Sequence, residues 1–267
     1  MSARLRAAVL AEVRKTTGGR LWWLLALGML GYLALVGGAL AASIALAPET
    51  SAAPLAPRDA ALTIYGSLNA LGYVFPLVVG TLSVTSEVRH RTLTQTLLSE
   101  PARGVVLSAK LLAALPFGLL YGVAGALGLV LAAGPVLAVA GDGAFLGDGE
   151  VLRTLLLGVL VTGLWAVLGV ALGTLVTHQV AAVVVVLGFT QLVEPVARAA
   201  LSAVEGLDVV GRFLPGAAAD AVVGTSVFDQ VGGGSLLPVW AGLLVLAAYA
   251  VVLAVAGWRT TWARDVT

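Results

Sequence analysis

The chain contains no cysteine, which excludes disulfides, thiolate metal sites and cysteine nucleophiles. Histidine occurs only at His90 and His178, too few for a histidine-based metal cage. Charge is scarce as well: 11% of the 267 residues are Asp, Glu, Lys or Arg, against 60% hydrophobic, and the mean hydropathy is +1.03. A soluble domain of this length needs a polar surface that these residues do not supply. Chemical signatures are missing too. There is no GxSG serine motif, no HExxH, no DGxxAR motif of phospholipid-synthesising transferases, and no Walker A loop. Such a loop needs glycines ahead of Lys-Ser/Thr so that backbone amides cradle phosphates; Lys15-Thr16 lacks them, and Lys110 is followed by leucine. The chain is therefore expected to perform no bond chemistry and to hold no cofactor or metal. Any nucleotide energy has to come from another chain.

What is present is apolar length. A helix rising about 1.5 Å per residue needs about 20 apolar residues to cross about 30 Å of hydrocarbon. Runs of that kind are expected to span at 21–46, 63–85, 105–138, 153–176, 180–200 and 236–257, making an all-α membrane protein with six spans in a single domain, 1–267. The first run exceeds the apolar core of a signal peptide, about 7–15 residues, and is expected to be retained. Ahead of it, Leu5, Val9 and Val13 repeat at i, i+4 and i+8 among Arg4, Glu12, Arg14 and Lys15. That pattern predicts an amphipathic helix lying in the interface over 1–19. Gly18-Gly19 breaks it, and Arg20, Trp22 and Trp23 anchor the turn into the bilayer. Pro48 ends the first span, and Pro54 and Pro57 lie in the loop beyond it. The third run is long enough to be tilted, or broken near Pro116 or Pro135. Residues 201–235 are mixed, with Pro215 and a Gly232–Gly234 run.

With the N-terminus placed inside, all fifteen lysines and arginines except Arg58, Arg153, Arg198 and Arg212 fall on the cytoplasmic side, Arg259 and Arg264 of the tail included. That bias and the even number of spans put both termini in the cytoplasm. Abundant Ala, Val, Leu, Gly and Arg beside only Lys15 and Lys110 is the composition of a high-GC bacterial genome, so a bacterial inner membrane is expected. The loop with Asp142, Asp148 and Glu150 does not follow EF-hand spacing and reads as an Asp-Gly turn. Gly118–Gly122 and Gly169–Gly173 are GxxxG pairs, which among 33 glycines are expected as chance or generic close packing.

Polar side chains inside a span are costly and therefore informative. Tyr65, Asn69 and Tyr73 fall on one face of the second span, and Gln191, Glu194 and Arg198 on one face of the fifth. The two sets sit at similar depth, with Asn69 and Glu194 each roughly 10 Å from the outer end by helix rise. Glu194 and Arg198, at i and i+4, are also spaced to pair with each other.

Between the second and third spans lies the chain's most cation-rich internal loop, Ser86 to Arg103. Leu93, Leu97 and Leu98 form an apolar ridge on a short helix that Arg89, Arg91 and Glu100 keep out of the bilayer, and a cytosolic ridge of that kind fits a groove on a partner. Pro101 ends the helix, leaving Arg103 and Lys110 at headgroup level. The ordered set Glu87, Arg89 or Arg91, Thr92-Leu93, Leu97-Leu98, Pro101, Arg103 and Lys110 resembles the permeases of type-2 ABC transporters, the membrane subunits of bacterial ABC exporters. Phe213-Leu-Pro215-Gly216 is similar to that family too. The resemblance implies that the loop carries a cytoplasmic coupling helix docking on a separate ATPase, with the interfacial helix beside it. It implies two permeases, homodimeric or heterodimeric, on two ATPase subunits that hold ATP and Mg, and no nucleic-acid partner. It also implies that the second and fifth spans line the path, so that Tyr65, Asn69, Tyr73, Gln191, Glu194 and Arg198 flank a substrate route. The substrate class implied is drugs, antibiotics, peptides, lipids or glycans, leaving the cell by efflux. The alternative open to the sequence is an ion-coupled secondary transporter with Glu194 as proton site.

Overall fold

The computed structural model describes residues 2–46, 56–140, 143–204, 206–226 and 236–262. The regular elements among them are all helical, and six are long and apolar enough to cross a membrane. Pro48, Pro54, Asp142, the Gly232–Gly234 run and Arg264 lie outside the described residues.

Helix α1, Ala3–Thr17, begins where the Ser2 hydroxyl accepts a hydrogen bond from the Leu5 amide at 3.3 Å. After Gly18 and Gly19, α2 runs over Leu21–Leu46 as the first span. The second span, Pro57–Arg89, is longer at both ends than the apolar run 63–85 predicts. Pro57 opens it at the first helical position with Asp59 in the first turn, which favours helix before any apolar residue appears. It consists of α3, Pro57–Gly72, and α4, Val74–Arg89. The break at Tyr73 lies just ahead of Pro76, which has no amide to bond back to the Gly72 carbonyl.

A short α5, Leu93–Ser99, precedes α6, Arg103–Ala140, which runs 38 residues through both Pro116 and Pro135 without breaking. Helix α7, Gly149–Leu175, starts four residues before the predicted 153, because the Asp148 carboxylate caps it by accepting from the amides of Glu150 and Val151 at 2.9 and 3.1 Å. The fifth span is α8, Gln179–Gly188, a π-helical turn over Phe189–Val193, and α9, Glu194–Ser202. Pro195 cannot donate to the Gln191 carbonyl, and the wider turn accommodates that missing bond. Two elements follow that the sequence left as a mixed segment: α10, Asp208–Gly211, and α11, Pro215–Val223. All nine residues of α11 are buried. Helix α12, Val239–Gly257, is the sixth span and runs into a second π-helical turn over Trp258–Trp262.

The second and fourth spans are the most enclosed, with more than half of their most apolar stretch buried, whereas less than a quarter of that stretch is buried in the first, fifth and sixth. Both GxxxG pairs lie at close helix crossings. A Cβ on Gly80 would collide with the Ala166 carbonyl oxygen, and one on Gly169 with that of Leu77, so α4 and α7 approach at backbone contact. Thr81 Oγ1 donates to the Gly169 carbonyl across the same contact at 3.1 Å. On α6, a Cβ on Gly118 would lie 2.6 Å from the Thr162 carbonyl oxygen of α7.

Candidate functional site

On the face that carries the N-terminus, the segment between the second and third spans is built from the end of α4 outward. Glu87 and Arg89 belong to α4 itself. The helix closes with His90, and Arg91 takes φ +56° where this turn usually carries glycine. The Thr92 amide donates to the Glu87 carbonyl at 2.9 Å and the Arg91 amide to that of Val88 at 3.2 Å, the paired bonds of a Schellman turn. Arg89 donates to the Gln179 side chain at 3.1 Å, linking this turn to the start of α8.

Helix α5 does not present its leucine ridge as a unit. Leu93 and Leu97 are half-buried against the core formed by Val84, Val106 and Leu107, while Leu98 is 78% exposed. A seven-residue helix needs its own anchorage, so two of the three leucines are spent holding it to α4 and α6. Pro101 is exposed in the turn, and Arg103 is the first, half-buried residue of α6.

Four charged groups join α1, α4, α5 and α6. Lys110, whose side chain is fully buried, reaches Glu12 Oε2 at 2.7 Å and Glu87 Oε1 at 2.8 Å. Lys15 contacts Glu12 Oε1 at 2.6 Å, Glu87 Oε1 at 2.9 Å and the Thr96 hydroxyl at 3.0 Å. Farther out, Arg4 meets Glu100 at 2.5 Å, and this bond holds the Glu100 carboxyl below its ordinary range. Helix α1 is thereby tied by side chains to the loop between spans two and three. Glu12 and Lys15 had been legible only as part of an amphipathic pattern; their pairing with Glu87 and Lys110 had no signal in the spacing.

The second group of residues lies toward the opposite face. Asn69, Tyr73, Glu194 and Arg198 come together; Tyr65 and Gln191 do not join them. Asn69 Nδ2 donates to Asp220 Oδ1 of α11 at 2.6 Å, and its Oδ1 accepts from the Trp165 indole of α7 at 3.1 Å. Arg198 bonds Asp220 Oδ2 at 2.8 Å and the Ser226 hydroxyl at 3.0 Å. Glu194 Oε1 accepts from the Gly216 amide in the first turn of α11 at 2.5 Å, and its Oε2 is buried without a hydrogen-bond partner among the described residues. Tyr73 donates to the Thr190 carbonyl at 2.8 Å and packs against Trp165 with ring centroids 4.6 Å apart. The space left among these groups is about 10 Å³, the size of one water. Tyr65 is buried separately and donates to the Ala144 carbonyl at 3.1 Å; Gln191 is exposed on the fifth span.

No family model matches this chain, and no curated protein matches it.

The partners missed by sequence reading are Asp220, Trp165, Ser226 and the α11 amides. Within one chain the polar residues of spans two and five therefore fasten α11 against α3, α7 and α9. The small space among them is not an open route.

Proposed function

We propose that the chain is the membrane permease of an ATP-driven exporter resembling type-2 ABC transporters, working with a second permease and two separate ATPase subunits. The observation that carries it is the N-terminal face: Glu12 and Lys15 of α1 pair with Glu87 of α4 and Lys110 of α6, Lys15 also bonds the Thr96 hydroxyl of the short helix between spans two and three, and Leu98 of that helix is left exposed. A rigid tie of this kind supports transfer of an ATPase movement into α4 and α6. ATP and Mg bind on the ATPase chains. The permeases sit in a bacterial inner membrane with both termini in the cytoplasm, and they export a hydrophobic or amphipathic substrate. A path between two copies would use the exposed face of the fifth span, Gln191 included, rather than the enclosed Asn69–Asp220 group.

A search for an ATPase reading frame beside the gene, followed by co-purification with its product, tests this. Stable co-elution is expected, and Leu98→Asp should weaken retention of the ATPase about tenfold without altering the fold of the permease, since it places a charge in the contact. Absence of any ATPase association in the unaltered chain would overturn the reading. Glu194 Oε2, buried without a partner, is the observation favouring the ion-coupled alternative. Transport driven by a proton gradient in ATPase-free vesicles, and lost in Glu194→Gln, would establish that alternative instead.

A further inference from the structure

The break in the fifth span meets the break in the second. At the π-helical turn the Glu194 amide bonds to the Phe189 carbonyl, one residue farther back than in an α-helix, and Pro195 has no amide. The Thr190 carbonyl is left without a backbone donor, and it accepts from the Tyr73 hydroxyl at 2.8 Å. Tyr73 is the residue between α3 and α4. One hydrogen bond thus joins the two breaks. The two halves of the fifth span are held differently. Toward the N-terminal face, α8 buries Ala182 and Val186, and Val186 belongs to the apolar core of Leu77, Trp165 and Val222. Toward the opposite face, only Glu194 of the nine residues of α9 is buried, and none joins an apolar core among the described residues. The ties of α9 are polar: Glu194 to the Gly216 amide beside the break, and Arg198 to Asp220 and Ser226 one turn farther out. The Arg198 side chain is 9% exposed. By helix rise it lies about 6 Å from Ser202, where the span ends.

We propose that α9 is a gate that swings about the π-helical turn, with the Tyr73–Thr190 bond as its pivot, while α7, α8 and α11 stay in place. The described arrangement is the latched one. Release parts Arg198 from Asp220 and Ser226 and widens the space of about 10 Å³ beside Asn69 and Asp220 into an opening on the far face. Little apolar packing has to be undone, which is what sets mobile elements apart from fixed ones. Arg198, once free, is close enough to the end of the span to reach headgroup oxygens by its own length. Asp220 keeps the bonds from Asn69 and Ser226 and gains water. The Glu194 contact adjoins the pivot and moves least. Such a gate serves either energy source, ATP or an ion gradient.

The test is the distance between paired spin labels in the full chain, reconstituted in lipid nanodiscs and diluted among unlabelled copies. The native chain has no cysteine to interfere. Ala199→Cys with Leu152→Cys spans α9 and the start of α7; Val184→Cys with Leu112→Cys spans α8 and α6. All four positions are exposed. Two distances are expected from the α9 pair and a single one from the α8 pair. Ser226→Ala removes one bond from the latch and should raise the open-to-latched ratio about tenfold, the scale of one charge-assisted hydrogen bond. Pro195→Ala returns an amide to the turn and should lower that ratio about threefold, the scale of one backbone hydrogen bond. A single α9 distance in both the native chain and Ser226→Ala would overturn the proposal. So would a shift of both variants in the same direction, or an α8 distance that varies along with the α9 one. If a variant misfolds, the native chain and the remaining variant decide: a second distance confined to the α9 pair upholds the gate, and one distance overturns it.

Discussion

Asn69 satisfies two buried groups at once, the Asp220 carboxylate and the Trp165 indole. Asn69→Ala is expected to destabilise the protein by about 1–3 kcal/mol for each group left unpaired, read as a lower thermal midpoint in detergent. Trp165→Phe, which removes the indole N–H, should restore part of that loss. A second residue gives a pH signature. Asp148 is held down to about 2, chiefly by hydrogen bonds from Arg58 and then by the Val151 amide. Because the folded value is depressed, its contribution is present above the ordinary value of 3.8 and is lost as pH falls toward about 2. The thermal midpoint should therefore drop between about pH 4 and pH 2, and Asp148→Asn should flatten that part of the curve.

Among the elements, α4 and α7 depend on backbone contact. Gly80→Ala places a methyl group against the Ala166 carbonyl and should cost about 1–3 kcal/mol. Gly31→Ala on α2, with no atom within 4 Å of the new methyl group, should instead gain about 0.5–1 kcal/mol from helix propensity. The clamp on α1 is as sensitive. Lys110→Met leaves Lys15 to neutralise both Glu12 and Glu87 by itself and should cost about 3–5 kcal/mol, with α1 becoming accessible to protease. The spans were legible because apolar length alone identifies them, and α1 because its pattern repeats. Their ends were less so: polar Asp59 and Asp148 start helices before the apolar run begins. Helix α11 was missed for a different reason. Nine residues, mostly alanine and valine, are too few to register as a span, and no spacing rule connects Asn69 with Asp220 across 151 positions. Without α11, Arg198 had only Glu194 in view at i−4; Asp220 comes to it from another element.

For the whole molecule, six candidate spans put α1 and the end of α12 on one face, together with α5 and the α7–α8 turn. The native chain has no cysteine, so single cysteines report sidedness without background. With an impermeant maleimide, Ser99→Cys and Thr177→Cys should react only after the membrane is opened, and Val204→Cys in intact cells; the reverse pattern would invert the orientation. The buried helix α11 also bears on how the chain is made. At about 1.5 Å per residue its nine residues reach about 14 Å, less than half the hydrocarbon thickness. It cannot leave the translocon sideways as a span does, and Asp220 is unwelcome in lipid. The segment is therefore expected to cross to the far side with its loop and then fold back between the spans, bringing Asp220 to Arg198 and Asn69. Substitutions at Asn69, Trp165 or Arg198 are therefore expected to loosen the docking of α11 in a chain whose spans are already inserted, read as faster turnover of that inserted chain by membrane quality-control proteases.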